Sequence, residues 1–170
     1  LVDVVANCLD DDLRVIVVHG AGSFGHLRAK HWKLNQGYLP DYDFVPQDDC
    51  QSQEEAVSIV RKEMLTLNKI VLDAFAKRGI STHKLPPHEW ARNTGSNFHG
   101  NITQLFNNNN SVEITFGDVV DCDEGSFGIL SGDDLVVRIC QEIPNVKRLI
   151  FAVKGVDGIL KRPPEVADHN

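Results

Sequence analysis

A β-branched run, Val15-Ile16-Val17-Val18, breaks directly into His19-Gly20-Ala21-Gly22-Ser23-Phe24-Gly25-His26, and this junction limits the fold more than any other feature of the chain. A strand that feeds a glycine turn and then a helix is the unit from which α/β sheets are built. Glycine lets the backbone approach ligand oxygens closely, and the amides of such a loop suit an anion. Gly20, Gly22 and Gly25 satisfy G-x-G-x-x-G, but a dinucleotide fold also needs a second strand ending in an acid about twenty residues on. That region holds Asn35, Gln36, Gly37 and Pro40 instead. Gly20 and Gly25 also have Walker A spacing, yet His26 and Leu27 stand where lysine and Ser/Thr belong. What remains is a phosphate-sized loop closed by a histidine, whose imidazole can donate a hydrogen bond to a phosphoryl oxygen. His19, directly after the strand, reads as a buried, hydrogen-bonded residue rather than a ligand.

The rest of the chain alternates in the same way. A helical stretch runs from the glycine loop to about Leu34, followed by a polar segment from Asn35 to Gln51. Ser52 and Glu55 form a capping box, and Ala56, Ile59, Val60, Met64, Leu67, Val71, Ala74 and Phe75 recur at helical spacing until Gly79. Strands are expected at Ile80–Leu85, at Val112–Phe116 and at Lys147–Val153, with a short helix over Ile102–Phe106 and another after Ser131. Asp121 to Gly128 reads as a hairpin tip and Asn107 to Asn110 as an exposed loop. The order argues one α/β domain over residues 1–170, with a largely parallel sheet sandwiched by helices.

Composition narrows the partners. The 170 residues carry 17 Lys+Arg against 24 Asp+Glu, a formal charge of −7, with no basic block, which argues against nucleic acid. No apolar run is long enough for membrane insertion, and no leader-like segment opens the chain, so a cytoplasmic protein is expected. Cys8, Cys50, Cys122 and Cys140 are scattered without zinc spacing and read as ordinary reduced thiols; no metal ligands are assigned.

Three further loops follow expected strands: Gly117-Asp118-Val119-Val120, Ser131-Gly132-Asp133-Asp134 and Lys154-Gly155-Val156-Asp157-Gly158. Each alone also reads as a turn with an N-cap. Four at one end of a sheet suggest a site, because open α/β sheets bind ligands beyond the carboxyl ends of their strands.

These motifs, in order from about Arg14 to Pro164, resemble the amino acid kinase superfamily and, within it, the isopentenyl phosphate kinases. The histidine closing the glycine loop is the most diagnostic residue, and Leu67-Asn68 and Arg162-Pro163-Pro164 also fit. The resemblance implies ATP-dependent phosphorylation of isopentenyl monophosphate with magnesium (Mg2+), by direct in-line transfer. It implies that His26 binds the substrate phosphate with the amides of Gly20, Ala21 and Gly25, that Gly132 lies beside the substrate, and that Asp133 organises catalytic lysines. Gly22, Gly155, Asp157 and Gly158 would meet the nucleotide. His26 and Asp133 are therefore the catalytic candidates, and a homodimer is implied. An apolar pocket for the prenyl tail is expected from the helices around Leu27–Trp32 and Ile59–Leu67.

The pattern departs in three places. The family's Lys-x-Gly-Gly-Ser loop would precede this sequence, and further nucleotide-binding structure with another lysine would follow it. The chain thus reads as the central part of such a domain, incomplete and inactive alone, since those cations stabilise the developing charge. Ala21 and Gly155 also stand where glycine and aspartate are usual. The alternatives are a related kinase of small phosphates or phosphonates, and a non-catalytic pseudokinase that keeps the phosphate loop.

Overall fold

The computed structural model describes residues 1–46, 50–107 and 110–152. Helix α1 (Val2–Asp10) leads to strand β1 (Ile16–His19), the glycine loop and helix α2 (His26–His31). Helix α3 (Gln53–Lys77), strand β2 (Thr82–Lys84) and the short helix α4 (Ile102–Leu105) follow, then strands β3 (Val112–Phe116), β4 (Asp118–Asp121) and β5 (Phe127–Leu130), and helix α5 (Gly132–Glu142).

β1, β3 and β2 form a parallel sheet in the order β1-β3-β2, with Ile16 opposite Glu113 and Thr82 opposite Val112. The middle strand is buried along its whole length, as expected of a parallel strand covered on both faces. Successive side chains explain the cover. Val17 and Ile114 pack with Val5 of α1 and Phe75 of α3, whereas Ile16 and Val18 pack with Leu135 and Ile139 of α5. The expected sandwich is present. Glu113, fully buried in β3, is met by Arg14 at 2.7 Å, and Arg14 also donates to the Phe106 carbonyl.

α3 begins where the capping box places it: Ser52 Oγ accepts from the Glu55 amide. It ends in a Schellman arrangement, with Gly79 at φ +74° and the Ile80 amide reaching the Phe75 carbonyl. α2 stops earlier than the expected Leu34, because Lys33 takes a left-handed φ of 48° and Leu34–Gln36 tighten into a 3-10 turn.

Two expectations are corrected. Gly117 to Val120 is not one loop; Gly117 alone separates β3 from β4, which turns into an antiparallel hairpin with β5. Lys147 to Val153 was expected as a further strand, yet residues 147–152 belong to none. Leu149, Ile150 and Phe151 are exposed, so the β-branched and apolar character of this segment has no described sheet edge to satisfy it. Val153 lies outside the described residues, as do Lys154, Gly155, Asp157, Gly158 and Arg162–Pro164.

Candidate functional site

Three chain crossings meet beyond the carboxyl end of β1. The Gly117 amide donates to the His19 carbonyl at 3.1 Å, and a β-carbon on Gly117 would stand 3.2 Å from the Gly132 amide nitrogen. A β-carbon on Gly132 would in turn touch Val18. Glycine at 117 and 132 thus allows the ends of β1, β3 and β5 to close on one another. His19 supports the junction: its ring lies within hydrogen-bonding distance of the Gly20 carbonyl (3.0 Å) and of Asn68 Oδ1 on α3 (3.2 Å), and it stacks on Phe116. It is half-buried and hydrogen-bonded, much as the sequence suggests.

Within the glycine loop the Phe24 amide turns back to the Ala21 carbonyl and the His26 amide to the Phe24 carbonyl. Gly22 and Gly25 hold φ of +55° and +67°, which glycine adopts freely. Gly25 is additionally confined, since a β-carbon there would sit 3.0 Å from Val60 Cγ1 of α3. Around Gly20 and Gly22 nothing lies within 4 Å of such an atom, so that edge of the loop is open to a ligand.

The loop borders a cleft of about 410 Å³, within the range of small-ligand sites. Gly20, Ala21, Gly25 and His26 line it, and Gly132 faces them across it. Ala29 of α2, Val60 and Met64 of α3, and Val119, Ile129 and Leu130 of the hairpin supply apolar walls. Both helices expected to build an apolar pocket do so, though through few residues: Leu27 is 75% exposed and Trp32 is buried in the core.

The cleft's carboxylate is Asp118, fully buried. One oxygen accepts from the Val119 amide at 2.8 Å, and the other meets His88 Nδ1 at 2.6 Å and the His88 amide at 3.2 Å. Its bonds therefore brace the β3–β4 corner rather than face an open ligand site.

Ser131 caps α5 by accepting from the Asp134 amide, and its hydroxyl donates to the Asp134 carboxylate. Asp133, the next residue of that first turn, is exposed and lies outside the cleft lining, as does Gly22. Of the sequence candidates the structure gathers Gly20, Ala21, Gly25, His26 and Gly132 into one cleft. Lys30 and Asn35 also line it without having been singled out. Lys30 falls one turn after His26, a spacing readable from sequence once α2 is known. Burial pushes the Cys50 and Cys122 thiols above their usual range, which leaves both poor nucleophiles. Among the described residues no group of three or more His, Cys, Asp and Glu side chains could hold a metal ion, and no helix is long and apolar enough to cross a membrane.

A parallel sheet covered on both faces, with a glycine-edged cleft at its strands' carboxyl ends, places the protein among the α/β folds that bind ligands at that position. More specifically, the chain belongs to the amino acid kinase family, whose model matches residues 1–170. It is 30% identical to the isopentenyl phosphate kinase of Thermoplasma acidophilum over 152 residues, 89% of this chain and 56% of that protein. The isopentenyl phosphate kinase of Methanothermobacter thermautotrophicus is 27% identical over 156 residues, again 89% of this chain and 56% of that protein. A crystal structure of the T. acidophilum enzyme as a product complex superposes with a TM-score of 0.61 at 31% identity, covering 78% of this chain and 50% of that one. The chain thus spans about half the length of the relatives it matches.

Proposed function

We propose that this chain forms the acceptor-binding part of an isopentenyl phosphate kinase, which passes the terminal phosphoryl group of ATP to the phosphate of isopentenyl monophosphate. One observation carries the reading: a single cleft joins a phosphate-sized glycine loop and His26 to the apolar walls of Ala29, Val60, Met64 and Ile129. Such a cleft suits a small amphiphile with a phosphate head and a short hydrocarbon tail, each buried CH₂ contributing about 0.8 kcal/mol. The relatives named isopentenyl phosphate kinase support the same substrate.

In this reading the amides of Gly20, Ala21 and Gly25, with the His26 imidazole, hold and orient the acceptor's phosphate, and Gly132 leaves room beside it. Gly22, where the edge of the loop is open, would face the phosphates of ATP. Gly155, Asp157 and Gly158, carried over from the resemblance, would border the nucleotide. Magnesium, carried over from the resemblance, would help neutralise the charge on the transferring phosphoryl group. Asp133 is assigned the positioning of catalytic lysines; its exposure at the start of α5 leaves it accessible to them. Catalysis would rest on alignment and charge neutralisation without a covalent intermediate. With the chain spanning about half of its relatives' length, transfer by this chain alone is expected to be slow or absent, while acceptor binding is retained.

Calorimetric titration of isopentenyl monophosphate, isopentenol and inorganic phosphate tests the assignment. The monophosphate should bind tighter than either part. Equal affinity for inorganic phosphate would remove the prenyl tail from the reading and favour a kinase of another small phosphate or phosphonate.

A further inference from the structure

The cleft holds a basic residue that neither the family motifs nor the roles assigned above use. Lys30 follows His26 by four residues on α2, so both side chains share one face of the helix, and both line the cleft. The neighbouring basic groups are committed elsewhere. Arg28 pairs with Glu63 at 3.4 Å, the Lys33 ammonium lies 3.6 Å from the centre of the Tyr42 ring, and His31 Nε2 is 2.9 Å from the Val45 carbonyl. Arg61, across on α3, donates to the Val119 carbonyl and to Asp121. Lys30 has no hydrogen bond, ion pair or ring contact among the described residues. Among the described residues the carboxylate lining the cleft is Asp118, which is tied to His88 and to the Val119 amide.

We propose that Lys30 is a second phosphate-binding residue: its ammonium, one helical turn beyond His26, would pair with the acceptor's phosphate dianion alongside the glycine-loop amides. The inference rests on the reading of the cleft as an acceptor site and deepens it. A loop of amides and one imidazole leaves much of a dianion's charge unbalanced, and a flexible lysine is suited to follow a phosphate that must move toward the donor. It also gives the site a preference for doubly charged heads over neutral ones, which apolar walls alone would not provide.

The test is calorimetric titration of isopentenyl monophosphate and of inorganic phosphate into the chain and into its Lys30→Met and Lys30→Arg variants, with thermal melts to confirm that each folds. Lys30→Met keeps the stem and loses the charge; it should weaken isopentenyl monophosphate by about tenfold or more, as loss of a charge-assisted hydrogen bond does. Lys30→Arg should restore most of the affinity. The wild-type affinity should also fall with added salt more steeply than that of Lys30→Met. Unchanged affinity in a folded Lys30→Met overturns the inference and leaves the acceptor reading standing. Inorganic phosphate binding that depends on Lys30, without binding of isopentenyl monophosphate, supports the residue and overturns the substrate. A folded wild-type chain that binds neither overturns both.

Discussion

A methyl group at position 25 would have to occupy a left-handed backbone at φ +67° and press within 3.0 Å of Val60. Gly25→Ala is therefore expected to destabilise the chain by about 1–3 kcal/mol, read as a lower thermal midpoint, and to displace the loop that ends in His26. Gly20→Ala, where a β-carbon meets nothing, should melt like wild type and lose ligand binding instead. Asp133 calls for a different measurement. Asp133→Asn in a protein carrying the whole fold should lower turnover while leaving the affinity for isopentenyl monophosphate nearly unchanged; unaltered turnover would remove Asp133 from the mechanism. At this scale the sequence exposed the glycines and His26, because glycine spacing and a histidine at a loop's end have few other uses. It pointed to the helix that carries Val60 and Met64 but not to Lys30, whose place in the cleft depends on how α2 and α3 pack, and it could not show that Asp118 turns to His88.

Among the elements, helix starts were the most legible, since a cap is a local bond. Ser52 and Ser131 both accept the amide three residues on. Ser131→Ala should cost about 1 kcal/mol and loosen the first turn of α5 beside the cleft, measurable by hydrogen exchange at Asp134. The hairpin β4–β5 was legible only as a tip. Its latch is a surface cluster in which the Asn93 amide and the Arg92 guanidinium hold the Asp123 carboxyl below its usual range. A carboxyl lowered in the folded state stabilises it above the ordinary carboxylate range, and that contribution is lost as pH falls through the lowered value. Protection factors of the amides from Cys122 to Ser126, taken against the intrinsic exchange rate at each pH, should therefore fall in acid, and Asp123→Asn should show low protection already at neutral pH, with the acid dependence reduced. The segment 147–152 marks the limit of pattern reading. Its residues have strand character, but a strand exists only where an edge receives it, and no local motif reports that.

For the molecule as a whole, the α/β order was readable because helical and strand periods alternate along much of the chain, α3 running into β2 and β5 into α5. The two-face packing of α1 and α3 against α5 follows from the alternation of Ile16, Val17 and Val18. What was not readable is the union of β1, β3 and β5 at Gly117 and Gly132, a contact between residues far apart in the chain that brings the glycine loop, Gly117 and Gly132 to one cleft. The chain spans about half of its relatives' length, and binding at the cleft is the property that can be measured on the chain itself. The most direct measurement is calorimetric titration of isopentenyl monophosphate into this chain and into a folded His26→Ala variant. Saturable binding by the wild type, weakened at least tenfold in the variant, is the predicted result, by the same reasoning about charge-assisted contacts. Equal binding by both proteins would contradict the assignment of the glycine loop and His26 as the phosphate site.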